Sequence, residues 1–365
     1  CTSWYLCVSI LTSLLLMSFT ARLIKWYNEH KRDLPWRSTT DPYIIWLSEI
    51  ILQQTRVEQG MPYFYKFVEN YPTVKDFASA SEDEILNHWQ GLGYYSRGRN
   101  MHHTAKMVME DHAGYFPTNY DKLLKLKGIG EYTAAAISSF SGNEPNAVVD
   151  GNVFRLLSRY FGITEPINSV KGKKLFITIA RELLDKSQPA TFNQAIMEFG
   201  SLQCKPKNPN CSTCPMQPDC RAFNEGSVDM LPVKIKSKAI RNRYFNYLVI
   251  IQDGRILMNK RGPNDIWQNL YELPLIETPE SMQAHLIFKS KDITAEWGER
   301  LEVGKVTGPV KHVLSHQKLF AQFIEVKNID AALLDKRFIF VEPERLNDLA
   351  QPKLIVEFLK SLEGF

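Results

Sequence analysis

The stretch LLKLKGIGEYTAAAISSF, residues 123–140, decides how the first half of the chain is read. Leucines before Gly128 and an alanine-rich run after Glu131 give two helical patterns, with only Gly128-Ile129-Gly130 to turn between them. The spacing predicts a helix-hairpin-helix whose second helix starts near Glu131. Backbone N–H groups in such a glycine turn and at a helix start can hold a nucleic-acid phosphate. Gly128 and Gly130 are therefore candidate phosphate contacts. A lone G-x-G is ordinarily just a turn, so its surroundings must carry the argument.

Two carboxylates stand out in those surroundings. Beyond the second helix, VVDGNVFRL (148–156) sets Asp150 behind two valines, and about a hundred residues earlier WLSEIILQQT (46–55) sets Glu49 between apolar flanks. Asp41-Pro42 supplies a cap and a first-turn proline, which predicts one helix from Tyr43 to about Val57. Ile45, Trp46 and Leu52 then flank Glu49 at one turn's spacing, and desolvation should raise its pKa so that it holds a proton near neutral pH. That is the state required of a general acid. The competing reading is a structural ion pair with an arginine such as Arg37.

With 365 residues and 12% aromatics, the chain can fill two or three cores without disulfides. A net charge of +4 is too mild to prove a polyanionic partner, although basic residues cluster at Lys171, Lys173 and Lys174, at Lys205 and Lys207, and from Lys234 to Arg243. Four of the six cysteines, Cys204, Cys211, Cys214 and Cys220, are spaced C-x6-C-x2-C-x5-C in a Pro-, Asn- and Lys-rich loop, where four thiolates can converge on one metal centre. Zinc sites usually use two close pairs, whereas here a single C-x2-C has lone cysteines on either side, which points to a [4Fe-4S] cluster and a reduced intracellular compartment. Residues 1–16, CTSWYLCVSILTSLLL, carry no charge, yet they lack a basic n-region and a clear cleavage site and are short for a membrane span. They read as an upstream extension, with the functional chain starting at Met17.

After the cysteines the pattern changes. YLVIIQDGRILMNK (247–260) is two apolar runs around an Asp253-Gly254 turn, which predicts a hairpin. HVLSHQKLFAQFIEV (312–326) reads as another long strand, and residues 352–363 as a closing helix. No internal repeat or low-complexity segment is evident.

Taken together, LPWR (34–37), WLSEIILQQT, GLGYYSRGRN (91–100), LKGIGEYTAAA (126–136), VVDGNVFRL, FNQAIMEFG (192–200) and the four cysteines resemble the helix-hairpin-helix DNA glycosylases, and within them the adenine DNA glycosylases of the MutY type. The resemblance runs from Met17 to the C-terminus. It implies a mainly α N-terminal part, a two-lobed helix-hairpin-helix glycosylase over 17–225 that includes the iron-sulfur loop 204–220. A basic linker over 226–240 and an α+β Nudix-like lesion-recognition domain over 241–365 would follow. The implied chemistry is removal of adenine mispaired with 8-oxoguanine or guanine, with Glu49 protonating the base, Asp150 stabilising or transiently trapping the sugar cation, and Asn152 supporting it. Arg37 and Gln194 would contact the extruded adenine, and Gln54 and Tyr94 would fill the gap left in the duplex.

The related endonuclease III family carries a nucleophilic lysine where this chain has Tyr132, so the resemblance implies a glycosylase without lyase activity. RGPNDIWQNLYELPL (261–275) lacks the glutamate array of a true Nudix hydrolase. The family's Phe-Ser-His trio for reading 8-oxoguanine is matched here by Leu314, Ser315 and His316, with leucine departing from the pattern. The expected partner is double-stranded DNA carrying the mismatch. The expected protein is a cytoplasmic, bacterial nucleoid-associated monomer without a membrane anchor. An endonuclease III-like glycosylase/lyase and a non-enzymatic iron-sulfur DNA-binding protein are the alternatives.

Overall fold

Helix follows helix from residue 18 to residue 224 of this computed structural model. It describes residues 18–236, 240–289, 293, 295, 297–298, 301–330 and 333–362. The expected upstream extension 1–16 and residues 237–239 of the expected linker lie outside the described residues. The helices are α1 (18–30), α2 (Pro42–Ile51), α3 (Val57–Asn70), α4 (Val74–Ser79), α5 (Glu82–His88), α6 (Ser96–Asp111), α7 (Tyr120–Leu123), α8 (Glu131–Gly142), α9 (Gly151–Phe161), α10 (Val170–Leu183), α11 (Pro189–Leu202) and α12 (Arg221–Asn224). Residues 18–78 and from His103 to Lys236 form one compact unit, and Ser79–His102 with the described residues from 240 onward form a second.

In the first unit, α1, α9, α10 and α11 share a core that includes Phe19, Leu23, Leu157, Phe176, Phe192 and Phe199. A second, aromatic core gathers Trp46, Phe67, Tyr71, Phe77 and Phe116 around α2–α4. Asp41 caps α2 as its sequence predicts, accepting from Tyr43 N at 2.9 Å with Pro42 in the first turn. The helix does not run on to Val57, however. It stops at Ile51, Gln54 takes a left-handed φ of 56°, and Arg56 starts α3. Gly60 lets α3 come back against the end of α2, because a Cβ there would lie 2.6 Å from Leu52 Cδ2. The helix-hairpin-helix is α7, a turn with Gly128 at φ 77°, and α8 capped by Gly130. Part of the expected linker is pinned to the first unit, since Ile167 N donates to Val233 O and Asn168 exchanges hydrogen bonds with the Ile235 backbone.

The second unit is built on β1 (Arg241–Val249), β2 (Ile251–Gln252), β3 (Arg255–Lys260), β4 (Tyr271–Glu272), β5 (Leu275–Thr278), β6 (Glu302–Val313), β7 (Gln317–Lys327) and β8 (Phe338–Val341). One sheet has the order β5-β1-β7-β6, with β1 and β7 parallel from Arg241↔Gln317 to Val249↔Glu325; β2, β3 and β4 form the other, with β8 on β3. Asp253 and Gly254 both take positive φ, as a two-residue type I′ hairpin requires. The run 312–326 is not one strand: β6 ends at Val313, Leu314–His316 turn, and Leu314 N donates to Gln317 O at 2.9 Å. A helix over Lys353–Leu359 closes the core, with Phe358 stacked on Phe323. Segment 79–102 packs here: Asn87 donates to Asn347 O, Tyr95 to Gln351 O and Arg99 to Gln268 O.

Candidate active site

A cavity of about 780 Å³ opens in the first unit where the end of α2, the start of α3, Tyr132 of α8, the N-terminus of α9 and the last turns of α11 meet. Glu49, Tyr132, Asp150, Asn152, Arg37 and Gln54 all line it. The cavity thus brings together six of the residues singled out in the sequence, from segments up to about 115 positions apart by number.

Glu49 sits on α2 with 9% of its surface exposed. Tyr132 donates its hydroxyl to Glu49 Oε2 at 2.8 Å. Burial pushes the Glu49 carboxyl up to about 7, with the Asp150 charge adding to the rise and the Tyr132 bond and Arg37 opposing it. The phenol itself is driven well above its ordinary range, first by burial and then by the Glu49 charge, so it remains a donor. The structural ion pair with Arg37 is not formed: Arg37 gives Nη1 and Nη2 to the two oxygens of Glu198, at 3.1 and 2.8 Å.

Asp150 is the N-cap of α9, and its Oδ1 accepts from Asn152 N at 2.9 Å and Val153 N at 2.8 Å, while Oδ2 accepts from the Asn152 amide at 2.7 Å. Burial raises its pKa, and these bonds work against that rise. The cap fixes where the carboxylate points. Asn152 is held in turn by Arg155, whose Nη2 donates to Asn152 Oδ1 at 2.8 Å and to Gly200 O at 2.6 Å. Gly200 on α11 lies so close to α9 that a Cβ would meet Asn152 Cβ at 2.8 Å and Asn152 O at 2.8 Å.

Glu198 was not among the candidates, although it lies within FNQAIMEFG. It is 1% exposed and lines the same cavity, with forked bonds from Arg32 as well as Arg37. Against the upward pull of burial, these arginine hydrogen bonds bring its pKa down to about 2. An acid flanked by Met197 and Phe199 was the available signal; its partners lie 161 and 166 residues away. Gln194 does not line the cavity, and its Oε1 accepts from Tyr27 OH at 2.7 Å. Tyr27 in turn lies 5.7 Å from the Arg37 guanidinium.

Gln54 is exposed at the rim. In the hairpin, α8 begins at Gly130, which has no side chain to cap the first turn. In the second unit, Tyr94 has a left-handed φ of 49°, is 42% exposed and meets Ser315 Oγ through its hydroxyl. Ser315 and His316 are exposed in the β6–β7 turn, and Leu314 packs against the core of that unit.

Cys204, Cys211, Cys214 and Cys220 line one small cavity walled by Leu156, Tyr160, Phe199 and Met216. Arg159 reaches Cys204 Sγ at 3.5 Å and Lys205 O at 2.7 Å. All four thiols are free, and among the described residues no three Cys, His, Asp or Glu side chains surround a point that would hold a metal ion. Also among the described residues, no helix is long and apolar enough to cross a membrane.

Residues 47–181 match the family described as HhH-GPD superfamily base excision DNA repair protein, and residues 246–361 match the NUDIX domain. The adenine DNA glycosylase of Buchnera aphidicola subsp. Schizaphis graminum is 35% identical over 261 residues, covering 71% of this chain and 75% of its own. The Homo sapiens adenine DNA glycosylase is 40% identical over 215 residues, 56% of this chain and 39% of the human one. A thermostable thymine-DNA glycosylase superposes with a TM-score of 0.55 at 29% identity, over 59% of this chain and 99% of its own. Endonuclease III in a non-covalent DNA complex superposes with a TM-score of 0.51 at 20% identity, over 58% and 97%, and shares the fold.

Proposed function

The chain belongs to the adenine DNA glycosylases, enzymes of base excision repair, and from that premise we propose that it removes adenine paired with 8-oxoguanine or guanine by hydrolysing the N-glycosidic bond. The observation that carries the reading is Glu49, a buried carboxyl with a pKa of about 7 at the wall of a cavity large enough for a nucleotide. In the proposed reaction Glu49 gives its proton to a ring nitrogen of the extruded adenine. The bond from the sugar to the base then breaks with its electron pair leaving on adenine. Asp150, oriented by its cap and by Asn152, faces the cation that forms at the sugar carbon. A water molecule adds to that carbon and releases a proton, which restores Glu49. The products are free adenine and an abasic sugar.

Tyr132 supports hydrolysis over lyase chemistry, since it offers a phenol bonded to Glu49 where the lyase relatives carry an amine. Its replacement by lysine should allow borohydride to trap a protein–DNA adduct; efficient trapping by the parent would favour the endonuclease III-like reading. Arg37 and Gln194 are proposed to contact the extruded adenine, with Gln194 acting from behind through Tyr27, and Gln54 and Tyr94 to fill the gap left in the duplex. The open N-terminus of α8 and the Gly128 turn suit a DNA phosphate.

A [4Fe-4S] cluster is proposed on the four cysteines from their thiol chemistry and asymmetric spacing, with all four lining one small cavity. When bound, such a cluster supplies four iron–thiolate cross-links and a reducible core to loop 204–220, and no step of base removal passes through it. Residues 241–365 are proposed to read the opposite base through Ser315 and His316.

The test is single-turnover excision on duplexes with adenine opposite 8-oxoguanine and opposite guanine. Release of adenine, seen as alkali-labile sites, is expected on both; DNA binding without base release would leave a non-enzymatic protein. Ser315→Ala with His316→Ala should narrow the preference for 8-oxoguanine about tenfold, roughly 1.4 kcal/mol. Equal losses on the two duplexes would assign those residues to general affinity.

A further inference from the structure

Tyr94 stands in a left-handed conformation that side chains other than glycine rarely adopt, in the turn Gly91-Leu92-Gly93-Tyr94, where Gly91 and Gly93 also have positive φ, 99° and 76°. Something must hold a bulky, 42% exposed aromatic residue in that geometry. The contacts converge on Arg97. Its guanidinium lies 5.1 Å from the ring of fully buried Trp89 and 5.7 Å from the ring of Tyr94, so it fills the space between two aromatic faces. Its Nη2 donates to Gly93 O at 3.2 Å, the same carbonyl that accepts from Trp89 Nε1 at 3.0 Å. Its backbone N–H closes the turn on Tyr94 O at 2.9 Å. Burial draws the guanidinium pKa down to about 10, which still leaves it cationic at neutral pH.

We propose that Arg97 is a positioning residue that locks Tyr94 in its left-handed conformation, and so keeps ready both the ring that enters the duplex and the hydroxyl that meets Ser315. Three properties are used together: a planar group that backs one ring while resting on another, an Nη2 that reaches the turn's carbonyls at Leu92 and Gly93, and a backbone amide three residues on from Tyr94. Lysine has the charge but not the plane. In the absence of the guanidinium, Tyr94 relaxes toward an extended φ and its ring leaves the line of Ser315. The part of this inference that concerns base extrusion rests on the reading of Tyr94 as the group that fills the gap.

The experiment uses the full chain with Arg97→Met, Arg97→Lys, Tyr94→Ala and the double variant Tyr94→Ala/Arg97→Met. Amide hydrogen exchange over residues 91–97, measured without DNA, reports the hold on the turn. It should speed up about tenfold or more in both Arg97 variants, with global melting little changed. Base extrusion is followed by the fluorescence of 2-aminopurine in place of the target adenine. Arg97→Met and Arg97→Lys should each slow it about fivefold, and the double variant should be no slower than Tyr94→Ala alone. Unchanged exchange in both Arg97 variants overturns the proposal, as does recovery with lysine, which would mean that only charge matters, or multiplied losses in the double variant. If exchange accelerates while Tyr94→Ala extrudes the base as fast as the parent, the hold by Arg97 stands and the role given to Tyr94 falls.

Discussion

Two buried carboxylates line the same cavity, and their pKa values are shifted in opposite directions. Glu49, on α2, has a phenol for its neighbour and is pushed up to about 7; Glu198, on α11, has two guanidinium forks and is drawn down to about 2. Exposure hardly separates them, at 9% and 1%. What separates them is whether the neighbour carries a charge. Burial alone raises an acid, and a neutral donor only trims that rise, whereas two cations more than reverse it. One fold thereby keeps a proton on one acid and strips it from another in the same cavity, leaving Glu49 able to give a proton and Glu198 able to hold Arg32 and Arg37 in place.

The sharpest way to break this contrast is to remove the paired acid. Glu198→Ala leaves two arginines facing each other at the cavity wall and should cost about 3 kcal/mol in urea unfolding, the low end for a buried pair because Arg32 is 30% exposed. A loss under about 1 kcal/mol would mean that the forks are ornamental.

Glu49 should behave in the opposite sense. Its folded pKa lies above the ordinary carboxyl value of 4.5, so its contribution to stability is complete below about pH 4.5 and is lost as pH rises through about 7. Glu49→Gln should therefore match the parent near pH 4 and be more stable at pH 8, by on the order of 3 kcal/mol. Glu198, with its depressed pKa, contributes fully above about 4.5 and loses that contribution as pH falls through about 2. Melting curves at pH 4 and pH 8 check the sign at Glu49, and curves at pH 5 and pH 2 the sign at Glu198; a Glu49→Gln variant less stable than the parent at pH 8 would contradict the raised pKa.

Stability gained at Glu49 should be function lost. Excision by Glu49→Gln should fall by about a hundredfold or more, as expected when general acid catalysis is removed, while DNA binding survives. In the parent the excision rate should be level up to about a unit below pH 7 and fall about tenfold per unit well above it, because only the protonated acid can act. The smallest effect is expected from Tyr132→Phe. The lost hydrogen bond had favoured the ionised form of Glu49, so the alkaline limb should move upward by up to about one pH unit. A downward shift would mean that the phenol acts on Glu49 in some other way.

Local signals in the sequence were legible wherever one residue type does one job. Asp41-Pro42 starts α2, Asp253-Gly254 turns a hairpin, and Gly128 and Gly130 flank the turn before α8. The misreadings share a cause. The end of α2 carries no glycine or proline; it is set by Gln54 in a left-handed conformation and by α3 folding back through Gly60. The β6–β7 turn is made of Leu314, Ser315 and His316, with no Gly, Pro, Asn or Asp to mark it, so an unbroken strand was the natural reading of that run. Glu198 was hidden because its two arginines come from the other end of the first unit's sequence, and Tyr27 claims Gln194 for the same reason. The burial of Glu49 was readable from its immediate neighbours, but the identity of its hydrogen-bond donor, 83 residues on, required the fold.

Gly200 shows how little clearance the site has. It makes no hydrogen bond through a side chain and touches no reacting group, yet the space it leaves empty is what allows α9 to begin where it does. Any larger residue would press on Asn152, two positions from the aspartate whose direction that first turn sets. A variant chain could therefore keep every acid, amide and arginine of the cavity and still aim Asp150 wrongly, by the width of one methyl group.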